Sequence, residues 1–224
     1  MSSRKKSVTI GVLGFQGDIE ENVAATEQAL SEMEVDGTVK VVRYPEEMEK
    51  IDGLILPGGE STVQSTLAAI QHSLPVMKKR ISEGMPVLGT CAGMIMLSKR
   101  AFDRVIGETK QKLMGDLDIV IERNAFGRQS ESFEADIPMA MVGGDSFKGV
   151  FIRAPAVTEA GKDVEVLAKF NDRIVAVKQK NVMGTAFHPE LSGDFRIHRH
   201  LVEMAVQFGR GQKLNDQNTP PADL

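Results

Sequence analysis

The chain predicts an α/β layer fold with a mostly parallel central sheet, and three observations carry that expectation. Over the first hundred-odd residues, apolar strand-like runs alternate with stretches whose apolar residues recur at helical spacing. The run Gly53-Leu54-Ile55-Leu56 lacks polar alternation, as a strand covered on both faces does. Glycine-bearing turns follow two of the strands, near Gly58 and around Cys91, and open α/β sheets bind ligands outside the carboxyl ends of their strands.

In chain order, Val8 to Gly14 makes the first strand, and Ile19, Val23, Leu30 and Met33 then recur at helical spacing. Val39 to Tyr44 gives a second strand, Pro45 to Lys50 a helical turn, and Gly53 to Leu56 a third strand that ends in Pro57-Gly58-Gly59-Glu60-Ser61-Thr62. A helix from Ser61 runs through Val63, Leu67 and Ile70, and Pro75 breaks or restarts it before a second piece ends near Ile81. Pro86 to Leu88 reads as a buried strand that turns into a helix beginning near Ala92. Beyond about residue 116 the pattern changes to successive strands, at Asp116–Glu122, Phe133–Ile137, Gly149–Arg153, Val164–Phe170, Arg173–Gln179 and Val182–Phe187, so the C-terminal half is expected to add antiparallel pairs. A last helix spans about Phe195 to Phe208, with Ile197, Leu201, Met204, Ala205 and Phe208 on one face. Residues 1–7 are expected to be flexible, residues 8–208 to form one domain, and the polar, Pro-containing segment 209–224 to be disordered.

Composition narrows the function. With 27 basic against 31 acidic residues among 224, the net charge is −4, which leaves no electrostatic footprint for nucleic acid or an anionic membrane. One cysteine cannot form an internal disulfide, which fits a reducing compartment. The basic start Arg4-Lys5-Lys6 precedes an apolar run that is short, contains glycine and meets Gln16-Gly17-Asp18 with no small-residue cleavage site, so it does not read as a signal peptide. No apolar stretch approaches membrane-spanning length, and a cytoplasmic location is expected.

The chemistry centres on Gly89-Thr90-Cys91-Ala92-Gly93, a strand-to-helix turn with the chain's lone cysteine at its apex. A strained elbow of this kind needs neighbours without a crowding Cβ, and the unpaired N–H groups of a helix N-terminus favour negative charge on the sulfur. A lone intracellular cysteine is ordinarily a small core residue; the two flanking glycines and the strand-to-helix setting favour a nucleophile. The second element is Phe187-His188-Pro189-Glu190. Residues two apart on an extended chain face the same way, so Glu190 can orient the His188 imidazole, and a Cys–His pair with a carboxylate behind the histidine is an acyl-transfer arrangement. The third is Pro57-Gly58-Gly59-Glu60-Ser61, either an ordinary loop with Ser61 as helix cap or, beside a nucleophile, an oxyanion hole pairing the backbone N–H groups of Gly59 and Ala92. His198 and His200, two apart on a predicted helix, make a poor metal pair, and His72 is isolated, so no metal site and no cofactor is expected. The twelve methionines are expected to fill core, as Met94, Met96 and Met204 do at helix-packing positions.

These motifs resemble the triad-type (class I) glutamine amidotransferases. More narrowly, Gly53 to Thr62, the stretch Glu122-Arg123-Asn124-Ala125-Phe126-Gly127-Arg128-Gln129, Phe151-Ile152-Arg153-Ala154-Pro155 and Phe187 to Leu191 are similar to the glutaminase subunit of pyridoxal 5′-phosphate synthase, over about residues 8 to 208. The resemblance implies a three-layer, flavodoxin-like α/β domain. It implies Cys91 as nucleophile, His188 as general base and acid, Glu190 as orienting carboxylate, and glutamine held by Gly59, Glu60, Ser61, Arg123, Ile152 and Arg153. It also implies that ammonia released from L-glutamine passes to a synthase subunit. Arg123 gains support from its position, because it continues the face of Leu117, Ile119 and Ile121 to a strand end, where a guanidinium can grip an α-carboxylate in bidentate fashion. Arg128 and Gln129 serve the site or stabilise their loop. The sequence departs from the family after the first strand, where Asp18-Ile19-Glu20-Glu21-Asn22 replaces a basic, histidine-bearing helix start. No Gly-x-x-x-x-Gly-Lys phosphate loop is present, so phosphate-sugar chemistry belongs to a partner. On the residues alone two other readings stay open. A cysteine peptidase or related hydrolase on the same elbow predicts tolerance of substitution at Arg123; a non-enzymatic partner-binding module predicts complexes indifferent to Cys91→Ala.

Overall fold

The computed structural model of the protein describes residues 7–103, 105–126, 132–144 and 146–217. Strands β1 (Val8–Leu13), β2 (Gly37–Val42), β3 (Gly53–Leu56) and β4 (Val87–Thr90) are linked by helix α1 (Ile19–Glu32), the short α2 (Pro45–Met48) and the pair α3 (Ser61–Ile70) and α4 (Ser73–Ser82). The chain then passes through the Cys91 turn into α5 (Ala92–Leu97), β5 (Ser98–Asp103), β6 (Gly107–Glu108) and β7 (Leu117–Glu122). It continues with β8 (Phe133–Ile137), β9 (Phe147–Phe151), β10 (Ala156–Ala160), β11 (Glu165–Phe170), β12 (Arg173–Gln179), β13 (Val182–Thr185) and α6 (Arg196–Gln217).

In the large sheet the strands lie in the order β2-β1-β3-β4-β13-β12-β10-β7-β5-β6, with β11 beside β12. The first five are parallel: β1 pairs with β2 and β3, β3 with β4, and β4 with β13, the last in a register that sets Thr90 against Thr185. Antiparallel pairing begins at β12 and continues through β10 and β7, so the expected division into a parallel half and an antiparallel addition is present. The order reverses between β1 and β3, the switch point at which such sheets open a crevice for ligands. Helices α1 and α6 pack on each other and on β1, while α2, α3, α4 and α5 form a second group, which gives three layers. Ile10, Leu54, Ile55, Leu56, Val87 and Leu88 are fully buried between them, and each such side chain is worth roughly 1.5–3 kcal/mol over its exposed state. No helix among the described residues is long and apolar enough to cross a membrane.

Several elements differ from expectation. Strands β5 and β10 were not anticipated, because their outward residues (Lys99 and Arg100; Thr158, Glu159 and Ala160) break the alternation that marks a strand. Helix α3 buries its polar face, Ser61, Gln64, Ser65 and Ala68, and leaves Val63 and Ile70 exposed, the reverse of the apolar spacing read from sequence. Helix α6 continues through Gln217, so residues 209–217 of the expected disordered tail are helical. Gly209 and Gly211 each cost about 1 kcal/mol in a helix, less than a proline stop, and they do not end it. Residues 1–6 and 218–224 lie outside the described residues.

A phenylalanine cluster fixes the part of the fold that matters most for the site. The β8-β9 hairpin stacks Phe133 on Phe151 with ring centroids 4.6 Å apart, and Phe151 and Phe147 each meet Phe187 at 5.6 Å. Such pairs add about 0.5–1.5 kcal/mol beyond area burial. Because Phe151 precedes Ile152 and Phe187 precedes His188, this cluster holds two stretches of predicted site residues against each other, and the His188 N–H donates to the Val150 carbonyl at 2.8 Å.

Candidate active site

Cys91 sits at φ 47° and ψ −99°, a conformation that non-glycine residues rarely adopt. Strain of this kind costs on the order of 1–3 kcal/mol and persists only where the surroundings enforce it. They do so here: the Cys91 N–H donates to the Thr185 carbonyl at 2.7 Å, tying the elbow to the end of β13. The flanking glycines are required by contact. A Cβ on Gly93 would fall 2.0 Å from the Leu56 carbonyl oxygen, and one on Gly89 would fall 2.6 Å from the backbone of Gly93. The elbow therefore packs directly against the ends of β3 and its own helix. Ala92, the first residue of α5, has an N–H with no intrahelical acceptor.

His188 is 3% exposed. It is extended (φ −101°, ψ 91°), but Pro189–Leu191 forms a 3₁₀ turn, so Glu190 reaches the ring by that turn and not along a pleated strand. Glu190 Oε1 lies 2.9 Å from Nδ1. A second carboxylate oxygen, Asp18 Oδ2, lies 3.0 Å from the same nitrogen. Burial works against the charged ring, yet hydrogen bonding to Asp18, Cys91 and Glu190 outweighs it and pushes the His188 pKa up to about 12. The Asp18 carboxyl is held below its ordinary value by its hydrogen bond to His188, against the opposing effect of burial. Nε2 is buried and is engaged by neither carboxylate, both of which meet Nδ1, so it is the nitrogen left for the sulfur. Asp18, His188 and Glu190 also bring metal-type ligand atoms within 4.8 Å of one another. The imidazole nitrogen they share is already hydrogen bonded, so the cluster is satisfied as a proton clamp.

Cys91 and His188 open on a cavity of about 350 Å³ at the carboxyl ends of β1, β3 and β4. Of the sequence-predicted site residues, Cys91, His188, Gly59, Glu60, Ser61, Arg123, Ile152 and Arg153 line it, while Ala92 and Glu190 do not. Gly59, at φ +142°, forms one wall. Glu60 and Arg123 are paired with each other, Arg123 Nη2 donating to Glu60 Oε1 at 3.1 Å. Glu60 Oε2 accepts from the Val63 N–H at 2.8 Å, so Glu60 caps α3, the role sequence offered to Ser61. Ser61 Oγ donates instead to Gln111 Oε1 at 3.0 Å. Cys91 Sγ approaches the Ile152 carbonyl at 3.9 Å, and Arg153 follows in the left-handed region at φ 46°. Arg128 and Gln129 lie outside the described residues.

Residues 12–207 match the model of the SNO glutamine amidotransferase family. The chain belongs to that family. The pyridoxal 5′-phosphate synthase subunit PdxT of Nitrosopumilus maritimus is 49% identical over 201 residues, covering 90% of this chain and 98% of that one. PdxT of Pyrococcus furiosus is 47% identical over 201 residues, covering 89% and 100%. The crystal structure of a glutamine amidotransferase superposes with a TM-score of 0.75 at 42% identity, over 88% of this chain and 98% of that one. The PurLQS structure from Thermotoga maritima, at TM-score 0.62 and 17% identity over 91% and 99% of the two chains, shares the fold alone.

Sequence reasoning assigned no role in the site to four polar residues that shape this cavity. Gln16 Oε1 accepts from the Glu60 N–H at 2.7 Å, and Gln64 Nε2 donates to the carbonyls of Gln16, Pro57 and Gly58 at 2.8, 3.2 and 3.3 Å. Together they staple the turn after β1 to the turn after β3. Gln111 fixes Ser61, and Asp18 meets His188. For Gln64 a signal existed: it falls on the small, polar stripe of α3 with Ser61, Ser65 and Ala68, a stripe too uniform for a solvent face. For Asp18 and Gln111 the partners lie far away in sequence, and no local pattern marks them.

Proposed function

We propose that the chain hydrolyses L-glutamine to L-glutamate and ammonia through Cys91, His188 and Glu190, and supplies the ammonia to a synthase subunit that builds pyridoxal 5′-phosphate. The observation that carries this reading is the pairing of a strained cysteine elbow with a buried histidine whose far nitrogen is clamped by carboxylate, both opening on one amino-acid-sized cavity. In this scheme the Cys91 proton moves to His188 Nε2, and the thiolate attacks the side-chain carboxamide carbon of glutamine. The N–H groups of Gly59 and Ala92 receive the oxyanion, and His188 returns the proton to departing ammonia. Water, deprotonated by His188, then hydrolyses the γ-glutamyl thioester.

The Glu60–Arg123 pair explains how a free amino acid is chosen. A zwitterion entering between them exchanges one ion pair for two, its ammonium against Glu60 and its α-carboxylate against Arg123, with Ser61, Ile152 and Arg153 completing the walls. A glutamine within a peptide has neither terminal charge, which argues against a peptidase. The partner is supported by the relatives, which carry the name of a synthase subunit, and by ammonia's chemistry, since it is protonated in bulk water and stops being a nucleophile. Both fit a cytoplasmic enzyme with its one cysteine reduced.

The test is glutamate release from glutamine with and without the synthase subunit. Cys91→Ala is expected to lower Cys91-dependent release on the order of 10³-fold or more; release that survives the substitution, or none even in the complex, defeats the reading.

A further inference from the structure

The triad leaves one carboxylate over, and the inference drawn from it rests on the glutaminase reading above. Asp18 holds the N-cap position of α1, where an aspartate side chain ordinarily accepts a hydrogen bond from its own helix; here it makes none. Its carboxylate meets His188 Nδ1 at 3.0 Å, on the nitrogen that Glu190 approaches at 2.9 Å. The surroundings are shaped around that contact. The Asp18 N–H donates to the Gly58 carbonyl at 3.2 Å, and Asn22 Nδ2 donates to the Asp18 carbonyl at 2.7 Å. A Cβ on Gly58 would fall 2.3 Å from His188 Cε1 and 2.6 Å from Asp18 Oδ2, so only glycine leaves room for the pair. One N–H cannot align fully with two acceptors. The two carboxylates therefore divide the work: Glu190, with a wholly buried side chain, fixes the ring, and Asp18, one-third exposed, adds negative charge beside it.

We propose that Asp18 is a positioning residue for the reaction, its carboxylate stabilising the His188 imidazolium and, through it, the Cys91 thiolate. The step it favours moves one proton: the Sγ–H bond of Cys91 breaks, an Nε2–H bond forms on His188, and no electrons leave the pair. The other charged groups nearby are Glu190 behind the ring and, on the cavity, Glu60 and Arg123, which are paired with each other, and Arg153.

Because the chain holds a single cysteine, alkylation of the full-length protein by iodoacetamide reports on Cys91 alone and needs neither glutamine nor a partner. Asp18→Asn, which keeps the shape and a residue suited to an N-cap, is expected to react roughly tenfold more slowly than wild type at pH 6, where the thiolate depends on the imidazolium. The two should agree within about twofold at pH 9.5, where hydroxide can take a proton from a thiol without an imidazolium beside it. Asp18→Glu restores most of the rate at pH 6, and Glu21→Gln, an exposed charge on the same helix, leaves it unchanged; thermal unfolding confirms that each variant is folded. Equal rates for Asp18→Asn and wild type at pH 6, or equal slowing at both pH values, overturn the proposal. Failure of Cys91-dependent glutamate release would instead strike at the glutaminase reading, so the two failures are distinct.

Discussion

His188 and His198 are near neighbours in sequence and almost equally buried, 3% and 0% exposed, yet their charges are driven in opposite directions. His198, inside α6, has both ring nitrogens without a partner among the described residues, and burial alone takes its pKa down to about 4. His188 suffers the same burial penalty but sits between Asp18, Glu190 and Cys91, which push it up to about 12. Burial has one sign for a histidine, and partners decide whether that sign survives. A deeply buried histidine keeps its proton only where the fold brings acceptors from elsewhere in the chain, here from the turn after β1 and the 3₁₀ turn after β13.

The sharpest way to break this contrast is to take away the imidazole that the proposed mechanism uses as its base. His188→Gln keeps a donor for Glu190 but cannot accept the Cys91 proton. It is expected to lower kcat for glutamate release by roughly 10³-fold while leaving KM for glutamine within a few-fold, since His188 is not among the groups assigned to hold the zwitterion. Steady-state kinetics in the presence of the synthase subunit reads both. A variant that keeps its kcat would show that the imidazole is only structural.

The next effect belongs to His198 and concerns stability. Its folded pKa is depressed, so below about pH 6.5 the unfolded chain binds a proton that the native chain refuses until about pH 4. Stability from this group is fully present above pH 6.5, is lost as pH falls, and levels off near pH 4, for a total of about 3 kcal/mol at 1.36 kcal/mol per unit. Other groups also contribute to acid sensitivity, so the comparison is between variants: His198→Leu is expected to remove about that much of the loss between pH 7.5 and pH 4, measured by denaturant unfolding. Identical pH dependence in the two proteins would mean that His198 finds a partner.

The same two histidines show how far the sequence could be read. The mostly parallel sheet, the elbow and the nearness of Glu190 to His188 were legible because each depends on local pattern: apolar runs without alternation, glycines on both sides of one cysteine, and a carboxylate two residues from a histidine. The route of the last contact was not, since a 3₁₀ turn and not a pleat delivers Glu190. Helix α3 shows a more general limit, because apolar spacing identified the helix but does not mark its buried face, which is the polar stripe that ties two turns together. Asp18 was legible only as an acidic helix start. Its role depends on the approach of β1 and β3 at the switch point, and Glu190 and Asp18 stand 2 and 170 residues from His188, of which only the first leaves a mark in a local window.

His200 supplies the intermediate case and the smallest expected effect. Its side chain is 23% exposed, with Nδ1 3.7 Å from Glu203 Oε2. Burial and Lys178 lower its pKa, while Glu203 and Glu165 pull the other way without reversing the result. Glu203→Gln is therefore expected to lower the His200 midpoint further, by a few tenths of a pH unit, because a partly exposed pair interacts through water. Ring-proton NMR titration of the four histidines resolves such a shift. Raising the salt concentration to about 1 M, where the screening length is near 3 Å, should erase the difference between wild type and Glu203→Gln. The clamp on His188, shielded by the Glu190 side chain at 0% exposure, should keep its acidic-pH advantage in Cys91 alkylation under the same salt. If salt abolished both, the partners of His188 would be acting through solvent, and burial would not be what separates His188 from the partly exposed His200.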